Sequence, residues 1–394
     1  MKPVFAKLEK SLSDIKAGGL FRKMRYLETP QAPYARIGGR EVLLLSSNNY
    51  LGLCNDDRLK KAACDTVNAY GVGSGGARLL TGSYELHRRL EQELAVFKGT
   101  EACLVFNTGY MANLGTISAL TDKNWVIFSD SLNHASIIDG CRMSGARVVV
   151  YNHCDMADLQ RKVSAWRPEF ALIVTDGIFS VDGDIAPLPD IVEIAQRRGI
   201  LTMVDDAHAT GVLGPHGSGT SDYFGLRDKI DIQMGTLSKA LASEGGYVAG
   251  RRVLIDYLVN RARSFIFSTA LAPAAIAVSL EALDIIRTEP QRRESLLADA
   301  IWLQERLRSA GFHVPESRTP IIAIIVGDPD IAVSFGEALF AEDIYIPAIR
   351  PPTVPHGTSR LRISLMATHT RADLERAADA IERVGHRMGV LGSK

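Results

Sequence analysis

The chain has 394 residues, 46% of them apolar, which is enough for two or three domains around a large core. Its 45 basic and 45 acidic side chains cancel, which excludes the electrostatic footprint expected of a nucleic-acid or membrane-surface protein and leaves any anionic ligand to a local site. Five cysteines (Cys54, Cys64, Cys103, Cys141 and Cys154), odd in number and never spaced Cys-x-x-Cys, argue against a disulfide scaffold or zinc ribbon and for a reducing, cytoplasmic setting.

Val4, Phe5, Leu8, Leu12 and Ile15 recur at helical spacing among charges, so the N-terminus reads as an amphipathic helix and not as a signal peptide. No window approaches the run of about 20 apolar residues that crosses a bilayer, and a soluble globular protein is expected. A short strand over 42–47 ends in Asn48-Asn49-Tyr50-Leu51-Gly52. From about 55 to 250, apolar runs at 102–106, 125–129, 147–151, 170–175, 201–204, 230–234 and 247–249 alternate with helix-like stretches such as 85–97, 155–165 and 188–197. That alternation predicts an α/β fold with a mostly parallel sheet covered on both faces and ligands at the carboxyl ends of its strands. A long helical region over 273–310 leads to a second, smaller α/β unit. Its elements are a strand over 321–326, a helix over 331–342, a strand over 360–365 and a helix over 371–388. The expected division is an N-terminal segment at 1–54, a large domain at 55–285 and a small C-terminal domain at 286–394.

The chemistry concentrates where strands end. Val-Asp-Asp-Ala-His (204–208) and Gly-Thr-Leu-Ser-Lys-Ala (235–240) each follow an apolar run, placing Asp205 and Lys239 on neighbouring strand ends. A lysine so placed can form a Schiff base with the aldehyde of pyridoxal 5'-phosphate (PLP), and a nearby carboxylate can keep the pyridine nitrogen protonated. Taken singly, the lysine reads equally as a solvated charge, and the Asp-Asp-Ala-His run as a helix cap or part of a metal site. Only His216 lies close by, at no familiar ligand spacing, and no metal is expected. Phe106-Asn107-Thr108-Gly109-Tyr110 leaves a strand for a helix, offering backbone N–H groups to a phosphate or forming an ordinary strand-to-helix turn. His134, in Asn-His-Ala-Ser (133–136), is a ring to stack on a planar cofactor or a helix-start histidine without special role. His208 lies within reach of a cofactor hydroxyl, with Ser180 a second candidate for that bond. The glycine-rich 71–76 segment lacks the preceding strand and the spacing of a dinucleotide fold, and P-loop, His-Glu-x-x-His and Gly-x-Ser-x-Gly motifs are absent.

Together with Ser-Ser-Asn-Asn-Tyr-Leu-Gly-Leu (46–53), Gly-Ser-Gly-Gly (73–76), Thr-Asp-Gly-Ile-Phe-Ser-Val-Asp-Gly (175–183) and Phe-Ser-Thr-Ala (267–270), these motifs make nearly the whole chain resemble the α-oxoamine synthases, a branch of the fold-type I PLP-dependent transferases. The resemblance implies that Lys239 carries the cofactor, Asp205 partners its pyridinium, His134 stacks on the ring and His208 binds the ring hydroxyl. It assigns Gly109, Tyr110 and Thr236 to the phosphate and Thr269 to the phosphate of a partner subunit, hence a homodimer with a shared site. The segment 348–364 is similar to the branch that condenses L-alanine with a pimeloyl thioester on the route to biotin; the rival branch joins glycine to acetyl-CoA. Arg362 matches the family's arginine for the amino-acid carboxylate, although Arg360 and Arg362 could also be two solvated residues on one strand face. Asn48 resembles a substrate contact, and Arg22 is a candidate for the far carboxylate of the acyl chain. Both the acyl carrier, coenzyme A or a carrier protein, and the chain length stay open.

Overall fold

The structure, a computed structural model, describes residues 2–18 and 20–391; Met1, Gly19 and 392–394 of the expected terminal segments lie outside the described residues. After the helix Pro3–Ala17, β1 (Tyr34–Ile37) and β2 (Arg40–Leu44) form an antiparallel hairpin. Its two-residue turn is Gly38-Gly39, with φ of 59° and 75°, the positive values that a turn matched to strand twist demands. This hairpin starts β2 two residues earlier than the apolar run suggested.

β3 (Ala102–Phe106), β4 (Trp125–Asp130), β5 (Arg147–Tyr151), β6 (Phe170–Asp176), β7 (Leu201–Asp205), β8 (Ile232–Thr236) and β9 (Gly246–Gly250) build one sheet in the order β3-β9-β8-β7-β6-β4-β5. Only β9 runs against its neighbours. The predicted strands reappear within two residues at each end, because runs buried on both faces of a parallel sheet are nearly uninterrupted in apolar residues. Side chains alternate between two cores. Along β6, Leu172 and Val174 join one cluster with Ile127, Met203 and Met234, while Ala171 and Ile173 join another with Phe128 and Val204.

The anticipated long helix is two, Pro273–Thr288 and Gln291–Ala310, separated at Glu289-Pro290, where proline has no N–H to continue the ladder. Two further helices, Asp57–Tyr70 and Arg252–Arg261, were not read from the sequence. In the C-terminal region β10 (Ile321–Gly327), β11 (Ile344–Tyr345), β12 (Ala348–Ile349) and β13 (Ser359–Ser364) follow, with the helix Pro329–Ala341 between β10 and β11 and the helix Arg371–Arg387 at the end. β10, β13 and β12 form a small antiparallel sheet, whereas β11 leaves it to pair in parallel with β2. The N-terminal strands are thus stitched to the C-terminal unit, and the Ser364 amide donates to the Leu45 carbonyl (2.9 Å) to extend the seam. Among the described residues no helix is long and apolar enough to cross a membrane.

Candidate active site

A cavity of about 240 Å³ opens at the carboxyl ends of β3, β4, β6, β7 and β8, where parallel strands of an α/β sheet present their ligand-binding loops. Gly109, Tyr110, His134, Ser180, Asp205, His208, Thr236 and Lys239 all line it. Eight residues expected at one site from scattered motifs are therefore brought together.

Gly109 opens the helix Gly109–Leu120, whose N-cap Thr108 accepts from the Met111 amide (3.1 Å). A side chain at 109 would press on Met234 Cε (3.1 Å) and Thr236 Cβ (3.4 Å), so the helix start packs directly against the end of β8. Thr236 Oγ1 donates to the Gly245 carbonyl (2.8 Å) and shares a bond with Ser238 Oγ (2.8 Å), which fixes a hydroxyl pair at the same rim. His134 answers to both of its sequence readings. It is the N-cap of the helix Ala135–Ser144, accepting from the Ser136 amide, and its ring lines the cavity.

Asp205 closes β7 and is 3% exposed. Its Oδ1 accepts from the Ala207 amide (2.8 Å) and its Oδ2 from Asn113 Nδ2 (2.6 Å), which also bonds Ser136 Oγ (2.8 Å). Beside it in register, Asp176 ends β6 and accepts from the His134 amide (2.7 Å). Burial and the Asp205 charge push Asp176 well above the usual carboxylate range, so it favours the protonated form. Behind the pair lies a fully buried ion pair, Lys98 Nζ to Asp206 Oδ2 (2.7 Å), with Lys98 also donating to the Ser218 carbonyl (2.5 Å).

Among the described residues no hydrogen bond engages Lys239 Nζ. Burial, helped by the Arg362 charge and opposed by Asp205 and Asp176, lowers its pKa to about 8, so a substantial neutral fraction exists near neutrality. Desolvation of the ring in the cavity, together with the Lys239 charge, lowers His134 against the pull of Asp205. Burial, then the charges of Lys239 and Arg362, hold His208 well below its ordinary value. Its Nδ1 shares a 2.6 Å bond with the Tyr50 hydroxyl, which leaves Nε2 for a ligand.

Arg362 reaches the rim from β13. Its Nε donates to the Ser180 carbonyl (2.5 Å) and its Nη2 to Asn48 Oδ1 (3.3 Å), while Arg360 is 6% exposed and pairs with Asp182. Neither is a solvated strand residue, so that alternative falls. Of the four expected residues outside the cavity lining, Arg362 and Asn48 adjoin it through Ser180 and each other, whereas Arg22 and Thr269 lie apart from it. Arg22 donates to Thr353 Oγ1 (3.2 Å) and lines a separate cleft of about 610 Å³ between residues 21–25 and 345–353. Thr269 stays exposed, with its carbonyl accepting from Asn107 Nδ2 (2.5 Å).

Sequence reasoning assigned nothing to Asn113, Asp176 or Tyr50. Asn113 carried a usable signal, an asparagine within a mostly apolar helical run, and Asp176 stood unexamined inside the 175–183 motif. The residues present fit PLP: a lysine amine with no hydrogen bond among the described residues, a carboxylate at the neighbouring strand end, and a helix N-terminus that begins on a glycine packed closely against β8. Asn113 Oδ1 adds a buried acceptor with no partner among the described residues.

The family profile for aminotransferase class I and II matches residues 40–381. The chain is 50% identical over 386 residues to a protein of Lysinibacillus sphaericus named 8-amino-7-oxononanoate synthase, covering 98% of this chain and 99% of that one. A protein of the same name from Thermoanaerobacter pseudethanolicus is 47% identical over 386 residues, 98% of each. Among solved structures, serine palmitoyltransferase from S. paucimobilis, carrying bound PLP, superposes with a TM-score of 0.94 at 32% identity, covering 99% of both chains. An 8-amino-7-oxononanoate synthase from Francisella tularensis gives 0.77 at 28% identity, covering 87% of this chain and 97% of that one. The chain therefore belongs to the aminotransferase class I and II family, on its α-oxoamine synthase branch.

Proposed function

We propose that this chain is a PLP-dependent acyltransferase that condenses L-alanine with a pimeloyl thioester to give 8-amino-7-oxononanoate, on the route to biotin. The observation that carries the reading is near full-length identity of 50% to a protein bearing that name, over a chain whose expected cofactor residues converge on one cavity. A carbon–carbon bond forms between alanine Cα and the thioester carbonyl, the thiolate leaves and takes a proton, and the alanine carboxylate departs as carbon dioxide.

PLP, when bound, supplies an electron sink for the charge left at Cα. In this reading residues 55–285 carry the cofactor residues and 286–394 bring Arg362. The Gly109 and Tyr110 amides and the Thr236 hydroxyl hold the phosphate. Thr269 serves the phosphate of a second copy, in a cytoplasmic homodimer. His134 covers the ring, His208 and Ser180 bind its hydroxyl, and Asp205 balances the pyridinium charge. Lys239, poised near pH 8, holds the aldehyde and, once released, takes the proton from Cα and returns it. Arg362 with Asn48 grips the amino-acid carboxylate, and Arg22 is assigned to the distal carboxylate of the acyl chain. The test is a product assay of purified protein with L-alanine or glycine against pimeloyl and acetyl thioesters. Alanine with pimeloyl is expected to give the highest kcat/KM, and faster condensation of glycine with acetyl-CoA overturns the reading.

A further inference from the structure

One charged cluster lies just outside the cavity. At the end of β5 the chain turns sharply through 152–154, with Cys154 in the left-handed region (φ 52°) and its amide donating to Asp130 Oδ2 (2.9 Å). The turn sets His153 between two carboxylates: Nδ1 meets Asp130 Oδ1 at 3.0 Å and Nε2 meets Asp184 Oδ2 at 2.7 Å. Its ring stands edge-on to Phe179, 4.4 Å between centroids. Burial alone would discharge this imidazole. The hydrogen bonds it donates to Asp130 and Asp184 outweigh burial and push its pKa up to about 12, so the ring is an imidazolium that donates from both nitrogens.

The two aspartates belong to different parts of the site. Asp130 ends β4, just before the loop that carries His134. Asp184 belongs to a loop closed on itself by Phe179 N to Asp184 O (3.0 Å) and Gly183 N to Phe179 O (2.9 Å). That loop bridges the two sheets. Its Ser180 lines the cavity and its Ser180 carbonyl receives Arg362 Nε. Asp182 pairs with Arg360, and the Gly183 carbonyl accepts from Ser317 and Thr319 (2.8 and 2.9 Å).

We infer that His153 is a positioning residue for amino-acid binding: by tying the 179–184 loop to the end of β4, it fixes the carbonyl that orients the Arg362 guanidinium. The inference rests on the reading of Arg362 as the carboxylate-binding residue. The test uses the cofactor-loaded full chain and the variants His153→Gln, Asp184→Asn and the double variant. Affinity for L-alanine, glycine and L-serine is read from the absorbance change of the bound cofactor, beside the PLP dissociation constant and amide hydrogen exchange over 179–184. Each single change should weaken amino-acid binding about tenfold, the worth of one charge-assisted hydrogen bond, with the double no worse than the singles and PLP affinity within about twofold. Exchange across 179–184 should quicken. Additive losses, unchanged amino-acid affinity, unchanged exchange, or loss of PLP binding together with amino-acid binding would each overturn the inference. Should His153→Gln fail to fold, Asp184→Asn, whose side chain is 30% exposed, decides alone. If the parent protein answers glycine or serine and not alanine, the substrate reading falls, while the variant-to-parent ratio with the responding amino acid still decides the role of His153.

Discussion

Asn113, His134, Asp176, Asp205 and Lys239 come from the strand ends of one sheet and the loops and helix that follow them, within a continuous 127-residue stretch, whereas Asn48, Ser180 and Arg362 meet from segments up to 314 positions apart. The first group is set by a parallel sheet buried on both faces, where register leaves each carboxyl end little freedom. The second depends on how the small sheet sits against the large one, through the 179–184 loop and the β2–β11 seam. In the proposed reading the cofactor residues sit in one sheet layer, and the amino-acid carboxylate is held at the junction between layers.

Changes in the sheet layer should abolish chemistry. Lys239→Ala removes the only residue assigned to hold the aldehyde and move the Cα proton, and turnover should fall about a thousandfold or more. The visible absorbance of the holoenzyme should vanish with it, and a borohydride-reducible linkage in the variant would break the comparison. Asp205→Asn should keep the fold, since the new side-chain oxygen can still accept from the Ala207 amide and a flipped Asn113 can offer its Oδ1 to the new NH2 group. Deuterium exchange at alanine Cα, followed by NMR, should slow about a hundredfold because a neutral amide no longer favours the pyridinium. Near-parent exchange would deny Asp205 that role.

A change at the junction should alter affinity instead. Arg362→Lys replaces a planar fork by a point charge, and KM for alanine should rise about tenfold or more while KM for the acyl thioester holds. Equal loss for both substrates would erase the distinction between the two halves. The smallest effect concerns pH. As pH falls through about 8 a growing share of Lys239 is an ammonium that cannot attack an aldehyde, so PLP uptake by the cofactor-free protein should quicken as pH rises and level off above that value. Stopped-flow absorbance reads this directly, and a rate flat from pH 6 to 9 would remove the depressed lysine from the account.

The same contrast explains what the sequence disclosed. β3 was legible to the residue because burial on both faces leaves an unbroken apolar signature, and the partly exposed edge strand β5 because its Val148-Val149-Val150 run is apolar and β-branched; Lys239 and Asp205 followed from their place just past such runs. β11 and β12, two residues each, have no periodicity to read, while the break at Glu289-Pro290 was legible in Pro290, which the reading of one long helix passed over. Tyr50, Asp176 and His153 escaped notice for a different reason: each acts through a partner distant in sequence, and local composition does not encode such pairings. The contact between Arg362 and the Ser180 carbonyl is of this kind, although Arg362 itself was found through its motif.

The pairing of β11 with β2 carries a consequence for biosynthesis. Residues 43–44 wait for residues 344–345 before their free edge is covered, and Arg362 arrives later still. A chain emerging N-terminus first therefore presents the strand ends that carry Asp205 and Lys239 before Arg362 has emerged. Until residues 344–345 are made, the β2 edge opposite β1 is a row of unpaired backbone N–H and C=O groups, the kind of edge that invites pairing with another chain.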